Sequence, residues 1–193
     1  MFFMRVGIDF DDVLVDTNPS LLGFHNEQFG TAHWMEDVQS FDLSRLWGCT
    51  PDEAHERLEA WYYSSHHANL VPVFGAQEAV MHLANFCELH IITARHAHLA
   101  EVTSALVGRH FPDVFAGVHF VGYNGRGHGS KARACQELGV TILLEDAPHH
   151  AHAVAAVGIP VLLFDAPWNG DVAGDNIIRV HTWAEAVDHI TRL

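Results

Sequence analysis

The sequence predicts an α/β fold built on a Rossmann-like parallel sheet, and two observations lead to this prediction. Six short runs rich in Val, Ile and Leu lack polar alternation, as expected of strands that are covered on both faces. Helical patterns separate most of these runs, which is typical of an open sheet with right-handed crossovers. The predicted strands are 5–10, 88–93, 117–121, 141–145, 160–164 and 177–180, and the predicted helices are 75–86, 97–110, 130–138 and 149–157.

The first predicted strand ends in an acidic segment. Its apolar run stops at Asp9, and Asp11 follows two residues later. Carboxylates at the tip of a buried strand are costly to place unless a cation or a reaction requires them. Two such acids could share a metal ion, or one could attack an electrophile while the other transfers protons. Asp is also common in ordinary turns, so this pair alone leaves both interpretations open.

Residues 17–72, called the insert below, interrupt the alternation of strands and helices. Patterns typical of helices cover 19–28, 34–47 and 51–66, and no strand pattern is present. Because the insert follows the acidic strand tip directly, we expect it to lie above that tip as a lid. Aromatic residues are frequent in it, and most of them should form the insert's own core.

The position of the insert divides the chain into two predicted units. Residues 1–16 and 73–193 should form the α/β core, and the insert should form a small helical cap. Phe41 and Trp47, in the middle of the insert, are our candidates for side chains that stack on a flat substrate. Packing within the cap is the alternative role for either of them.

Two helix starts are marked by capping patterns. Thr50 is followed by Pro51 and then by Glu53 three residues after the threonine, as in a capping box with proline at the first helical position. Thr182 and Glu185 repeat the same spacing near the end of the sequence. Helices are therefore predicted to begin at about residues 51 and 183.

Composition limits the classes of partner. The 193 residues suit one domain with a small insert, and a formal charge of −14 with only 10 Lys and Arg residues argues against general affinity for nucleic acid or anionic membranes. No apolar run approaches membrane-spanning length, and no cleavable signal is evident. Three unclustered cysteines indicate reduced thiols in a cytoplasmic protein. The oligomeric state stays open, a homodimer included.

Two further features of the sequence resemble known kinds of binding site. The 17 histidines include local clusters, but no HExxH or Cys/His finger spacing is present, so exposed or supporting roles are favoured over a zinc site. The Gly-rich stretch 122–129 is predicted to be a loop. It is not a Walker A loop, because Ser130 separates its last glycine from Lys131.

Residues that can bind a ligand or take part in catalysis recur where the predicted strands end. In an open parallel sheet, ligands bind at the carboxyl ends of the strands. The second strand ends at Thr93, followed by Ala94 and Arg95, and the fourth ends in an acidic pair. Lys131 opens the helix before that fourth strand. Together with the first strand tip, these positions offer oxygen ligands for Mg²⁺ and a hydroxyl and an ammonium for phosphoryl oxygens.

With these residues in this order, nearly the whole chain resembles the haloacid dehalogenase-like (HAD) phosphohydrolase superfamily. Asp9-Phe-Asp-Asp-Val13 is similar to its first motif, Ile91-Ile-Thr93 to the second, Lys131 to the third and Leu143-Leu-Glu-Asp146 to the fourth. The insert lies where that superfamily carries a helical C1-type cap. Thr93-Ala-Arg95 and Leu163-Phe-Asp-Ala-Pro-Trp-Asn169 are most similar to the 5′-nucleotidase group related to 5′(3′)-deoxyribonucleotidases.

The resemblance implies a role for each acid. Asp9 would attack phosphorus and form an aspartyl-phosphate, and Asp11 would protonate the leaving oxygen and then take a proton from the attacking water. Asp9, the backbone carbonyl of Asp11 and Asp146 would hold Mg²⁺, with Glu145 in support directly or through water. Asp12 stands where the superfamily commonly has Gly, which adds a negative charge beside the site.

The resemblance also implies how the phosphate is bound. Thr93 and Lys131 would bind phosphoryl oxygens, and Lys131 would offset the crowded carboxylates. Ala94 and Arg95 would lie beside the substrate, and Arg95 could contact its phosphate or instead pair with an acid. The cofactor implied is Mg²⁺, and the partner implied is a small-molecule phosphate monoester, not a nucleic acid polymer or a membrane.

The sequence leaves several functions open and favours one of them. The leading one is a Mg²⁺-dependent phosphomonoesterase that acts on nucleoside monophosphates. A phosphatase of sugar or other small organic phosphates would use the same residues with another cap. A non-catalytic phosphoryl-binding regulator is disfavoured because Asp9, Asp11, Lys131 and Asp146 are all present. A dehalogenase is disfavoured because that branch lacks the acid at the Asp11 position.

Overall fold

A six-stranded parallel sheet forms the centre of the computed structural model, which describes residues 4–122 and 130–193. Every predicted strand is present, and no strand end differs by more than two residues from the one expected. The order across the sheet is β3-β2-β1-β4-β5-β6, which confirms the predicted Rossmann-like fold class. The strands are β1 (Met4–Ile8), β2 (Cys87–Thr93), β3 (Gly117–Phe120), β4 (Ile142–Glu145), β5 (Val161–Phe164) and β6 (Ile177–Val180).

Helices cover both faces of this sheet. One face packs against α5 (Ala76–Leu83), α6 (Ala100–His110) and α9 (Trp183–Ile190), and the other packs against α7 (Lys131–Leu138) and α8 (Pro148–Ala156). Successive side chains of a strand point to opposite faces, so strands that are covered on both sides must be apolar throughout. This explains why the predicted strands showed no polar alternation.

The order of the strands reverses beside β1. The chain continues from β1 to β2 and β3 on one side, and then crosses to β4, β5 and β6 on the other. Ile8 is paired with Ile91 of β2 and with Leu144 of β4. A crevice forms outside the carboxyl ends of the strands at such a reversal, and ligands of α/β proteins bind there. The acids that follow β1 and β4 therefore lie on the two sides of the crevice.

The insert contains helices and no strand, as predicted, but two of the three expected helices are wrong. The helix expected over 51–66 is divided, because it ends at Tyr62 and Ser64 caps a separate short helix. In place of a helix over 34–47, a 3₁₀ turn at Met35–Asp37 is followed by a separate short helix. The break occurs because the Asp42 side chain accepts a hydrogen bond from Arg45 N and so begins a new helix. The helices of the insert are α1 (Thr17–Phe29), α2 (Leu43–Trp47), α3 (Pro51–Tyr62) and α4 (Ser65–Ala68).

Both predicted helix starts are present. Thr50 and Glu53 form the full capping box at the start of α3. At α9, the Thr182 side chain accepts a hydrogen bond from Glu185 N, but the Glu185 carboxylate accepts from His181 N, one residue earlier than the expected box. The backbone N–H groups at the start of α9 are thus bonded, but Glu185 bonds to the residue before the cap and not to the cap itself.

The backbone segments that enter and leave the insert run side by side. Asp16 N donates to Val71 O at 2.9 Å, and Val73 N donates to Leu14 O at 3.0 Å. Hydrogen bonds between the entering and leaving segments bring both ends of the insert close to the loop after β1. Any displacement of the insert must therefore bend these two short backbone segments.

No helix within residues 4–122 and 130–193 combines the length and apolarity needed to cross a membrane. The predicted Gly-rich loop falls, from residue 123 to residue 129, outside the described residues.

Candidate active site

The crevice at the carboxyl edge of the sheet continues into a cleft of about 360 Å³ beneath the insert. Asp9, Asp11, Asp12 and Asp146 lie along its floor. The insert supplies the opposite wall, mainly with apolar side chains such as Leu21, Val38, Phe41, Leu43 and Leu58. An acidic floor and an apolar wall suit a ligand with a charged group at one end and a flat or apolar part at the other.

Asp9 is held where β1 ends. Its backbone N donates to Leu144 O of β4 at 2.9 Å, so the residue continues the pairing of the two central strands. Its side chain is buried, and Lys131 Nζ lies 2.6 Å from Asp9 Oδ1. Lys131 is the first residue of α7, whose N-terminus is capped by Ser130. The helix start thus directs a buried ammonium at the acid.

Lys131 bridges two acids. Its Nζ also donates to Glu145 Oε2 at 2.7 Å, while Glu145 Oε1 accepts from the backbone N of Asp146 and of Ala147. Glu145 is fully buried and does not line the cleft, and both of its carboxylate oxygens accept hydrogen bonds from within the protein. Its geometry is that of a residue that orients the lysine and the turn after β4.

The carboxylates of Asp9, Glu145 and Asp146 could hold a metal ion. Oxygen atoms of the three lie within 4.8 Å of one another. Asp146 is oriented by Trp168, whose Nε1 donates to Asp146 Oδ2 at 3.0 Å, and by Asn169, whose Nδ2 donates to the Asp146 carbonyl at 2.8 Å. Carboxylate oxygens are the donors that Mg²⁺ prefers. The donor set therefore fits a hard divalent cation.

The pKa values of the acids in this cluster also favour a bound cation. Burial raises the pKa of Asp9 to about 7 despite the attraction of Lys131, and burial, with Glu145 and Asp9 nearby, raises the pKa of Asp146 well above its ordinary value. Burial opposes the charge of Lys131, but Asp9 and Glu145 raise its pKa above the ordinary value. One ammonium does not compensate all of these acids, so a bound cation would lower the electrostatic cost of the cluster.

Asp11 is held by a different cation. Arg95 forms a two-pronged pair with it, with NH2 2.7 Å from Oδ1 and Nε 2.9 Å from Oδ2, and Thr17 donates its hydroxyl hydrogen to Oδ1. Burial favours the neutral acid, but the guanidinium outweighs it and holds the pKa of Asp11 below its ordinary value. Arg95 thus pairs with an acid, which was one of its two expected roles.

Asp12 is explained by two contacts. Its backbone φ is 55°, in the left-handed region where glycine is favoured, which accounts for the glycine common at this position in the superfamily. Its carboxylate accepts from Asn18 N at 2.9 Å and from Asn18 Nδ2 at 2.7 Å, in the first turn of α1. Burial raises the pKa of Asp12 well above its ordinary value. Asp12 therefore joins the loop after β1 to the insert.

The segment after β2 reaches the cleft only in part. Ala94 and Arg95 line it, but Thr93 is fully buried, and its Oγ1 accepts from Arg95 N at 3.1 Å. Gly122 packs on this turn so closely that a Cβ atom would lie 2.4 Å from the Ala94 and Arg95 carbonyl oxygens. The turn is consequently fixed by a backbone contact that only glycine permits.

Of the two aromatic candidates in the insert, the structure brings only Phe41 to the cleft. Phe41 is 51% exposed and lies with its ring centroid 6.0 Å from His149 and 5.8 Å from Trp168. Trp47 is buried in the insert and stacks on His25 at 4.4 Å. Trp47 thus has the alternative role, which is packing within the insert.

Sequence reasoning missed several side chains of this site. Trp168 and Asn169 follow β5 closely, so attention to every strand end would have found them. His149 and His150, in the first turn of α8, also line the cleft. Burial, with Lys131 nearby, lowers the pKa of His150 to about 4, so this histidine is neutral near pH 7. Asp146, which shortly precedes α8, is the sequence feature that could have indicated that both histidines lie near the site.

Comparison with known proteins agrees with this geometry. The profile of the family described as 5′ nucleotidase, deoxy (pyrimidine), cytosolic type C matches residues 3–193. A candidate nucleotidase of Halalkalibacterium halodurans, BH1399, is 28% identical over 184 residues, which cover 94% of this chain and 90% of that protein.

Solved structures share the fold at low sequence identity. A haloacid dehalogenase-like hydrolase of Streptococcus pneumoniae superposes with a TM-score of 0.71 at 13% identity, covering 97% of this chain and 98% of that one. A predicted phosphatase of Clostridium acetobutylicum superposes with a TM-score of 0.73 at 14% identity, and both chains are covered in full.

The fold, the paired acids at the carboxyl edge and these similarities define a HAD-like phosphohydrolase, that is, a phosphoric monoester hydrolase. Within this class, the chain belongs to the family of cytosolic type C 5′ nucleotidases.

The raised pKa of Asp9 predicts a pH-dependent difference in stability between the wild type and Asp9→Asn. Between pH 3.8 and about 7 the folded chain keeps a proton on Asp9 that the unfolded chain has lost. The contribution of Asp9 to the free energy of unfolding is therefore full at low pH and falls as pH rises through about 7, whereas Asn does not titrate. In EDTA, Asp9→Asn should gain stability relative to the wild type between pH 5 and pH 8.

Urea unfolding of both proteins at the two pH values measures this difference. Asp175→Asn, in an exposed loop, is the control and should differ from the wild type equally at both pH values. A gap between the wild type and Asp9→Asn that stays constant, or that changes in the opposite direction, would contradict the raised pKa.

Proposed function

We propose that this protein is a Mg²⁺-dependent phosphomonoesterase that acts through an aspartyl-phosphate intermediate on nucleoside or deoxynucleoside monophosphates. The observation that carries the proposal is the position of Asp9, buried 2.6 Å from Lys131 and clustered with the carboxylates that follow β4, at the floor of the cleft. A phosphate placed there would meet a nucleophile, a cation and a proton donor together.

Asp9 is proposed as the nucleophile. The Lys131 ammonium restrains one of its oxygens, and burial excludes water that would otherwise compete for the carboxylate. Attack on phosphorus forms the aspartyl-phosphate and breaks the bond to the leaving oxygen. Lys131 then stabilises negative charge on the phosphoryl oxygens, and Ala94, after β2, also lines the cleft.

Asp11 is proposed as the group that moves protons. Its side chain lines the cleft, as that of Asp9 does, but it is 30% exposed where that of Asp9 is 8% exposed. Arg95 holds the pKa of Asp11 low in the empty site, so Asp11 would first take up a proton as the negatively charged phosphate comes close and favours its neutral form. In the first step it would give this proton to the leaving oxygen, and in the second it would take one from the water that attacks the aspartyl-phosphate. Thr93 supports this arrangement through its hydrogen bond to Arg95 N and not through an exposed hydroxyl.

Asp9, Asp146 and the backbone carbonyl of Asp11 would hold Mg²⁺, with Glu145 behind them. When bound, the ion would neutralise phosphoryl charge as a Lewis acid. Trp168 and Asn169 restrain Asp146 from the side of β5, so this carboxylate is preorganised for a cation.

The insert, residues 17–72, is proposed as a cap that selects the substrate, with residues 1–16 and 73–193 as the catalytic core. Phe41 supports this role because it extends from the insert into the cleft and is half exposed there. A nucleobase has a flat face that can stack on this ring, and the family description supports the choice of nucleotides. Three free cysteines are consistent with a cytoplasmic setting.

Asp9→Asn should abolish turnover and leave the fold intact. Asn is nearly the same size but is a poor nucleophile, so kcat should fall by about three orders of magnitude or more. Hydrolysis of p-nitrophenyl phosphate measures the loss, and circular dichroism tests the fold. A folded Asp9→Asn variant with activity near that of the wild type would rule out the covalent mechanism.

Activity should require Mg²⁺, and Ca²⁺ should substitute poorly. The carboxylate set suits a small octahedral cation, whereas Ca²⁺ is larger and takes looser coordination. The measurement is turnover after EDTA treatment and dialysis, followed by addition of Mg²⁺, Ca²⁺ or Zn²⁺. Full activity in EDTA, or recovery with Zn²⁺ alone, would contradict the proposal and direct attention to the histidines.

Phe41→Ala should raise KM for nucleoside monophosphates much more than for p-nitrophenyl phosphate. Loss of a stacking contact is worth about 1–3 kcal/mol, so the increase should be about 5- to 150-fold. Trp34→Ala is the control, because Trp34 is an exposed aromatic residue of the insert outside the cleft. Equal effects of both variants, together with a preference for sugar phosphates over every nucleotide, would reject the nucleotidase assignment.

A further inference from the structure

Arg95 is unusually well held for a side chain at the edge of a cleft. Its side chain is only 2% exposed, and its guanidinium carbon lies 4.5 Å from the centre of the Phe10 ring. Four of its five N–H groups donate within the protein: two to Asp11, one to His67 Nε2 at 3.0 Å and one to Thr103 Oγ1 at 3.1 Å. Little hydrogen-bonding capacity is left for a substrate phosphate.

The partners of the guanidinium come from separate parts of the chain. Arg95 follows β2, Thr103 belongs to α6, and His67 belongs to α4 of the insert. Arginine has no acceptor, so the short contact with His67 requires a neutral imidazole that accepts at Nε2. The core and the insert together fix the plane of the guanidinium, and this plane fixes the plane of the paired carboxylate.

The two carboxylate oxygens of Asp11 differ in how many of their lone pairs accept hydrogen bonds. Oδ1 accepts from Arg95 NH2 and from the Thr17 hydroxyl, so both of its lone pairs are used. Among residues 4–122 and 130–193, Oδ2 accepts at short range only from Arg95 Nε, at 2.9 Å. A carboxylate oxygen has two lone pairs, so the described part of the chain leaves one of those on Oδ2 free.

We infer that Arg95 is a positioning residue for Asp11: it orients the carboxylate so that Oδ2 exchanges the proton with the leaving oxygen and with the attacking water. This inference rests on the proposed function. Arg95 contacts no reacting atom, and its effect passes entirely through Asp11. The insert takes part through His67, so proton transfer is sensitive to how the insert sits on the core.

The leaving group distinguishes this role from phosphate binding. A nucleoside or sugar leaves as an alkoxide and needs a proton as the bond breaks, whereas p-nitrophenolate is stable without one. A misplaced Asp11 should therefore slow the first step for alkyl phosphates and spare it for p-nitrophenyl phosphate. Loss of a phosphate contact would instead slow both and raise both KM values.

The test is Arg95→Lys, which keeps the charge but loses the planar fork. Single-turnover cleavage of thymidine 5′-monophosphate and ribose 5-phosphate should fall by about 100-fold, a typical share for a positioned acid. The p-nitrophenolate burst should fall by less than about fivefold, with little change in KM. Arg109→Lys is the matched control, because Arg109 also joins α6 to α4, through Ala68 O, without contacting Asp11.

A double-mutant cycle shows whether Arg95 acts through Asp11. In an Asp11→Asn background, Arg95→Lys should cost less than about threefold on the same alkyl phosphates, because the group that it positions is already lost. If Arg95→Lys does not fold, Thr103→Val removes one contact of the guanidinium, and Thr103→Ser restores the hydroxyl. The Val variant should show the same leaving-group discrimination, and the Ser variant should be close to the wild type.

Several results would overturn the inference. Equal losses for alkyl and p-nitrophenyl phosphates, a rise in KM at constant kcat, or full additivity with Asp11→Asn would each do so while the wild-type phosphatase activity stands. Identical behaviour of Arg95→Lys and Arg109→Lys would do the same. A wild-type protein that hydrolyses no phosphate monoester in the presence of Mg²⁺ would instead reject the proposed function, and the inference with it.

Discussion

The ion pair between Lys131 and Asp9, extended to Glu145, is the interaction on which the rest of the site depends. Lys131 Nζ lies 2.6 Å from one carboxylate and 2.7 Å from the other, and all three side chains are buried. Buried charges persist only when they are paired and hydrogen-bonded. Without the ammonium, the acids that follow β1 and end β4 would lose the cation that pairs with two of them, and burial and mutual repulsion would favour their neutral forms.

This constraint explains how an acidic protein can bind an anionic substrate. The formal charge is −14, so the overall field of the molecule repels phosphate. The local arrangement reverses that repulsion with one buried lysine and a carboxylate cluster that suits a cation. Binding is then controlled by a few groups at short range, where screening by salt is weak.

The loop after β1 joins this chemistry to the insert. Thr17 and Asn18, at the start of α1, hydrogen-bond to the carboxylates of Asp11 and Asp12, and His67, near the end of the insert, bonds to Arg95. The entering and leaving ends of the insert therefore both contact the acids or their partner. A substrate that changes the position of the insert would change the surroundings of the acids as well.

The sequence alone determined the fold class, the alternation of strands and helices outside the insert, and the strand-end positions of the acids. These follow from local causes: apolar runs without alternation, capping residues, and acids placed where a buried strand stops. The position of the predicted Asp9, Lys131, Glu145 and Asp146 at one edge follows from parallel pairing, which brings carboxyl ends together.

Only the tertiary structure decided which partner each charge takes and which side chains face the cleft. Arg95 was free to contact phosphate or acid on sequence grounds, and the packing of α6 and of the insert around it selects Asp11. Phe41 and Trp47 are equally aromatic and only six residues apart, yet one lines the cleft and the other packs on His25. Such choices depend on contacts between distant segments, and local sequence patterns do not encode the distances between them.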